Sequence, residues 1–144
     1  MADTREDILA REKDLDHFNM DLYSLKGKVA VVTGGDTGLG QAYTVAFAEA
    51  GADIFIPTFG QTGWEDTRKM VEKRGRKVEF MDVDLTEAGI AEKVVQKAVD
   101  TFGHIDILVN NAGMIKRNPL LESKDADWDR VIAINLSTVY HMSL

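Results

Sequence analysis

The feature that most constrains this chain is Val29-Ala30-Val31-Val32 followed at once by Thr33-Gly34-Gly35-Asp36-Thr37-Gly38-Leu39-Gly40. A short apolar run rich in β-branched residues forms a strand buried on both faces, not one that alternates between core and water. Such a strand needs cover on both sides of its sheet, and the glycines behind it supply the tight turn into a covering helix. Gly40 to Ala50 then repeats small and apolar residues at Ala42, Val45, Ala46 and Ala48 and stops at Gly51, a natural residue for ending a helix.

The alternation continues along the chain. Ile54-Phe55-Ile56 reads as a second strand, and Trp64 to Arg74 as a second helix closed by Gly75. Val78-Glu79-Phe80-Met81 reads as a third strand, and Thr86 as the cap of a third helix ending near Phe102. Ile105 to Val109 is the fourth strand, and Asp125 to the end is a fourth helix carrying Trp128, Val131, Ile132, Leu136 and Val139. Short apolar strands alternating with helices specify βαβ units with right-handed crossovers. The predicted fold is therefore α/β, a doubly wound parallel sheet of the Rossmann type with strand order 3-2-1-4. The last helix reaches Leu144 without a glycine, proline or turn cluster, so the fold is expected to be truncated after the fourth βα unit. Residues 1–24, charged and with loosely spaced Ile8, Leu9, Leu15 and Phe18, read as an N-terminal arm, and residues 25–144 as the α/β unit.

Composition removes several function classes. At 144 residues and 44% hydrophobic the chain fills one core, and with no cysteine it offers neither a disulfide nor a thiolate metal site or nucleophile. Its three histidines, at 17, 104 and 141, have no acid–histidine spacing of a metal motif, so no metal is expected. With no apolar run of membrane-spanning length and with Asp3, Glu6, Asp7 and Glu12 near the start, neither a membrane nor a secretory route is expected, and the location reads as cytoplasmic. Seventeen basic against 24 acidic residues give a net charge of −7, which repels a phosphate backbone, so no nucleic acid is expected. The short cluster Lys73-Arg74-Gly75-Arg76-Lys77 reads as a helix C-terminus whose cations offset the dipole.

The glycine cluster lies where a strand hands over to a helix. There glycines let a ligand approach the backbone, and the helix N-terminus presents N–H groups and positive dipole to a pyrophosphate. This is a dinucleotide site in outline. Its spacing is G-x-x-x-G-x-G rather than G-x-G-x-x-G, so on spacing alone a plain βα connection stays open. Asn110-Asn111-Ala112-Gly113 follows strand four onto the same sheet edge, beside the switch point where ligands bind in such sheets.

T-G-x-x-x-G-L-G at 33–40, Asp84-Leu85 after strand three, N-N-A-G at 110–113 and Asn135 within Ile134-Asn135-Leu136 together resemble the short-chain dehydrogenase/reductase family over about Leu25 to Leu144. The Asp36-Thr37 pair inside the loop, with Phe102 to Gly113, is similar to that family's 2-deoxy-D-gluconate 3-dehydrogenase group, also described as 2-dehydro-3-deoxy-D-gluconate 5-dehydrogenase. The resemblance implies an NAD(P)-dependent oxidoreductase acting on a secondary alcohol or ketone of a deoxy-gluconate-like sugar acid, with residues 25–144 as its dinucleotide-binding half. Gly34, Asp36, Thr37, Leu39, Gly40 and Thr58 would then meet the pyrophosphate and ribose. Asp84 would accept from the adenine amino group with Leu85 beside it, and Asn111, Ala112 and Gly113 would border the nicotinamide-side ribose. Asn135 would belong to the catalytic tetrad, bending its helix and holding a water in a proton relay, since an amide both donates and accepts.

Other positions depart from the family pattern. The family's catalytic serine and Tyr-x-x-x-Lys would lie beyond the fourth helix, and Tyr140 is no substitute because position 144 is Leu. The chain alone is thus expected to be inactive, and a non-catalytic nucleotide-binding or protein-interaction module is the alternative. Thr58-Phe59-Gly60 supplies neither the acid that would grip both ribose hydroxyls nor a base for a 2′-phosphate. Asp36 would repel that phosphate, which favours NAD and leaves NADP open. Lys116 and Arg117, just past Gly113, are candidates for a substrate carboxylate, or else form an exposed basic loop. The fourth helix is too apolar for one covered face, so a homo-oligomer, dimer or tetramer, is expected.

Overall fold

A computed structural model describes residues 20–144. The arm expected at residues 1–24 therefore lies mostly outside the described residues; its last part is a 3₁₀ turn, Met20–Tyr23. Four parallel strands follow: β1 (Val29–Val32), β2 (Asp53–Thr58), β3 (Val78–Asp82) and β4 (Ile107–Val109), in the order β3-β2-β1-β4. The helices are α1 (Gly38–Ala50), α2 (Trp64–Glu72), α3 (Ile90–Phe102) and α4 (Asp125–Ile132), with a π turn, Ala133–Ser137, joining α4 to α5 (Thr138–Met142). No helix among the described residues is long and apolar enough to cross a membrane.

Alternate residues of each central strand feed opposite cores. Ala30, Val32, Ile54 and Ile56 pack with Ala48 of α1 and Val71 of α2. Val31 and Phe55 pack on the other face with Val94 and Ala98 of α3 and Met142 of α5. Side chains burying ~1.5–3 kcal/mol each on both faces of β1 and β2 explain why these strands read as unbroken apolar runs.

The structure differs from the sequence reading at several boundaries. Thr86 does not cap the third helix. That helix begins at Ile90 behind Gly89, which has a φ of +70°, while the Thr86 hydroxyl donates to the Asp84 carboxylate at 2.7 Å. The nearby acid captured the side chain that would have capped the helix. β4 has three residues, Ile107–Val109; just ahead of it the Asp106 N–H donates to the Val29 carbonyl at 3.0 Å while its carboxylate accepts from the Val29 N–H at 2.9 Å and the Lys28 ammonium at 2.8 Å. α2 stops at Glu72, ahead of the left-handed Gly75 at φ +69°. The fourth helix is helical from Asp125 to Met142 but carries a π turn around Asn135.

Candidate functional site

The carboxyl ends of β1 and β4 are locked together through Thr33. Its buried hydroxyl accepts from the N–H groups of Asn111 at 3.0 Å and Ala112 at 2.9 Å and donates to the Val109 carbonyl. The Asn111 amide returns two bonds, to the carbonyls of Thr33 at 3.0 Å and Gly34 at 3.1 Å. Side chains have no room in this joint. A Cβ on Gly40 would overlap the Gly34 carbonyl oxygen, and one on Gly34, at φ +61°, would stand 3.3 Å from the Ala112 Cα. Two loops about 75 residues apart in sequence thus form one rigid rim.

Asp36 fastens the same rim to the far side of the sheet. Its buried carboxylate accepts from the Thr58 hydroxyl at 2.8 Å and the Gly63 N–H at 3.3 Å, while its carbonyl takes the Thr67 hydroxyl at 3.0 Å and the Gln41 amide at 3.2 Å. Gly63 is required there, since a Cβ would overlap the Asp36 carbonyl oxygen. Thr37, the N-cap of α1, makes no side-chain bond to the first turn.

Asp84 ends the third side. One carboxylate oxygen takes the Thr86 N–H at 3.0 Å and hydroxyl at 2.7 Å, and the other takes the Arg130 guanidinium at 2.8 Å. A second Arg130 nitrogen donates to the Thr86 hydroxyl. Partial burial pushes the Asp84 carboxyl up, but the bonds from Arg130 and Thr86 and the guanidinium charge outweigh it and hold the group below the usual carboxylate range.

These pieces wall a cleft of about 500 Å³ on the carboxyl edge of the sheet. Gly34, Asp36, Thr37, Leu39, Gly40, Thr58, Asp84, Leu85, Asn111, Ala112 and Gly113, the residues singled out in the sequence for a cofactor, all line it. Phe59, Val83, Met114, Arg130 and Ile134 complete it, none of them named as a site residue from the sequence. Arg130 and Ile134 sit one helical turn apart, a spacing that could have marked them as sharing a face.

Asn135 lies beside the cleft rather than in its wall. Its amide donates to the Met114 carbonyl and accepts from the Met114 N–H, both at 2.8 Å, and a Cβ on Gly113 would stand 3.0 Å from its oxygen. Lys116 and Arg117 fall outside the wall on an exposed stretch, where Lys116 pairs with Asp127 at 3.5 Å.

A helix N-terminus with no side-chain cap, behind a loop whose Gly34 and Gly38 take positive φ, suits a pyrophosphate held by backbone N–H groups. The family model for short chain dehydrogenases matches residues 28–144.

The chain belongs to the short chain dehydrogenase family.

This short chain dehydrogenase is 48% identical over 131 residues to the uncharacterized oxidoreductase YgcW of Escherichia coli K12, covering 91% of the chain and 50% of that protein. It is 44% identical over 121 residues to the 2-dehydro-3-deoxy-D-gluconate 5-dehydrogenase of the same organism, covering 84% and 47%. Among solved structures it is similar to a short-chain type dehydrogenase/reductase from Mycobacterium marinum, with a TM-score of 0.81, 26% identity and coverage of 88% and 51%. A short chain dehydrogenase from Mycobacterium smegmatis aligns with a TM-score of 0.76 at 31% identity, covering 84% and 50%. The chain spans about half the length of the curated relatives it matches.

Proposed function

We propose that this chain forms the dinucleotide-binding half of an NAD(P)-dependent oxidoreductase that interconverts a secondary alcohol and a ketone on a sugar acid of the deoxy-gluconate type. The observation that carries the reading is the single cleft walled by both the glycine loop and the Asn111 to Gly113 loop, joined through Thr33. In it the first turn of α1 holds the pyrophosphate, Asp84 and Leu85 take the adenine end, and Asn111 to Gly113 border the other ribose. Bound there, the nicotinamide supplies the hydride chemistry, and the protein binds and orients it. Asn135, inside the π turn, ties the loop that borders the reactive end.

NAD is the expected cofactor. The end of β2 presents Thr58 and Phe59 to the cleft with the Asp36 carboxylate bonded to Thr58, an acid that would repel a 2′-phosphate. Support for the sugar acid comes from the relatives named for 2-dehydro-3-deoxy-D-gluconate, at 44% and 40% identity. In this reading Lys116 and Arg117 meet the substrate carboxylate only when the segment beyond Met114 folds back over the cleft. The enzyme is cytoplasmic and pairs with its own copies.

The 144 residues hold no Tyr-x-x-x-Lys, and Tyr140 is exposed outside the cleft wall. The chain by itself therefore binds without turnover. Calorimetric titration of the folded chain tests the site: NAD binds, and more tightly than NADP. A folded sample that binds neither overturns the proposal, and one that prefers NADP overturns the cofactor assignment.

A further inference from the structure

Asp84 sits where no regular backbone holds it, between the end of β3 at Asp82 and the start of α3 at Ile90. Its side-chain direction is set by its partners. Thr86 occupies one oxygen through two bonds, and Arg130 reaches across from α4 to the other. The guanidinium engages as a planar fork, one nitrogen on the Asp84 carboxylate and one on the Thr86 hydroxyl, so it fixes the angle of the carboxylate as well as its charge. A carboxylate has about four acceptor positions, and three are taken, which leaves acceptor capacity on a residue that lines the cleft. Arg130 lines the same cleft, with Ile134 one turn further along.

Resting on the dinucleotide reading above, we infer that Arg130 is a positioning residue that aims the Asp84 carboxylate at the exocyclic amino group of the purine, so that the site selects adenine over hypoxanthine dinucleotides. Adenine presents an N–H₂ donor at its six position, whereas a six-oxo purine presents an acceptor. An ionised, correctly aimed carboxylate accepts from the first and repels the second. A carboxylate free to swing discriminates poorly, because water satisfies it in other orientations. Arg130 also belongs to the helix that continues through the π turn to Asn135, whose amide holds Met114. One helix therefore braces both ends of the cleft.

The test compares binding of NAD and nicotinamide hypoxanthine dinucleotide by calorimetry to the unsubstituted chain, Arg130→Met and Arg130→Lys, with circular dichroism as the check on folding. The unsubstituted chain is expected to prefer NAD by about tenfold or more. Arg130→Met lowers that ratio to within about threefold of unity, and Arg130→Lys, which keeps the charge and loses the fork, falls between. Thr86→Val, which removes the hydroxyl that aligns the fork, shifts the ratio in the same direction and serves if Arg130→Met does not fold. A ratio unchanged by Arg130→Met while NAD still binds overturns the inference and leaves the dinucleotide site standing. Weakening of both dinucleotides by one common factor does the same, since it is the mark of a merely structural tie. Failure of the folded unsubstituted chain to bind either dinucleotide overturns the site itself.

Discussion

Asn135 and Met114 exchange two hydrogen bonds of 2.8 Å, the side-chain amide of one reading both backbone groups of the other. A primary amide donates and accepts at once, so it copies a strand neighbour and pins the end of the Asn111 to Met114 loop to the π turn. The pair is exposed, which limits its worth to about 1 kcal/mol, the usual net value of a hydrogen bond. Asn135→Ala should lower stability by about that amount in urea unfolding and speed hydrogen exchange at the Met114 amide. An unchanged exchange rate at Met114 would show that the loop is held elsewhere.

Thr33 should matter more. Its buried hydroxyl accepts from two backbone N–H groups at once, and Thr33→Val keeps the shape while leaving the Ala112 N–H unpaired; the Asn111 N–H keeps its bond to the Val109 carbonyl at 3.0 Å. At ~1–3 kcal/mol for an unsatisfied buried group, Thr33→Val should cost about 1–3 kcal/mol and Thr33→Ser well under half of that. Equal losses for the two variants would assign the effect to packing.

Gly40 and Gly38 separate crowding from backbone strain. Gly40→Ala drives a Cβ into the Gly34 carbonyl and the Asn111 amide, so the rim must open and dinucleotide binding should be lost. Gly38, at φ +53°, has nothing within 4 Å of such a Cβ, so Gly38→Ala should cost only the ~1–2 kcal/mol of a left-handed residue and bind more tightly than Gly40→Ala. Paired urea and calorimetric titrations rank the two, and a reversed order in binding would relocate the phosphate cradle.

Acid should weaken the fold in a way that depends on Arg130. Asp84 titrates below the ordinary carboxylate value despite the burial that raises it. Asp106 is also lowered, first by its bond from the Lys28 ammonium and then by the Val29 N–H. A carboxyl depressed in the folded state contributes stability above its unfolded pKa and loses it as pH falls through the folded pKa. Unfolding free energy should therefore drop from about pH 5 downward, and the slope should be shallower in Arg130→Met, where Asp84 has lost its guanidinium. Urea curves at successive pH values measure it, and identical slopes would mean that the pair is open in solution.

The outer face of the last helices should self-associate. Trp128, Leu136 and Tyr140 are each more than 60% exposed, and β4 is an edge strand in this sheet. Sedimentation velocity across a concentration series should show association that Leu136→Glu reduces. A monomer at about 100 μM, far above the micromolar range of modest interfaces, would sink this prediction.

The order of strands and helices was legible in the residues because it rests on local physics: β-branched runs buried on two faces, amphipathic spacing, and glycines where the chain must turn. The 3-2-1-4 order followed from right-handed crossovers, and it gathered the eleven cofactor candidates, spread from Gly34 to Gly113, around one cleft. What the tertiary structure alone decided were the partnerships between distant residues. Nothing near Arg130 in the chain marks it as a partner of Asp84, 46 positions away, and nothing near Asp36 announces Thr58 and Gly63. Thr86 looked like a helix cap because capping is a local preference, and it lost that role to a carboxylate two residues back. A side chain's preference is written in its neighbourhood, whereas the polar group that finally satisfies it is chosen by whichever donor or acceptor the packed helices bring within 3 Å.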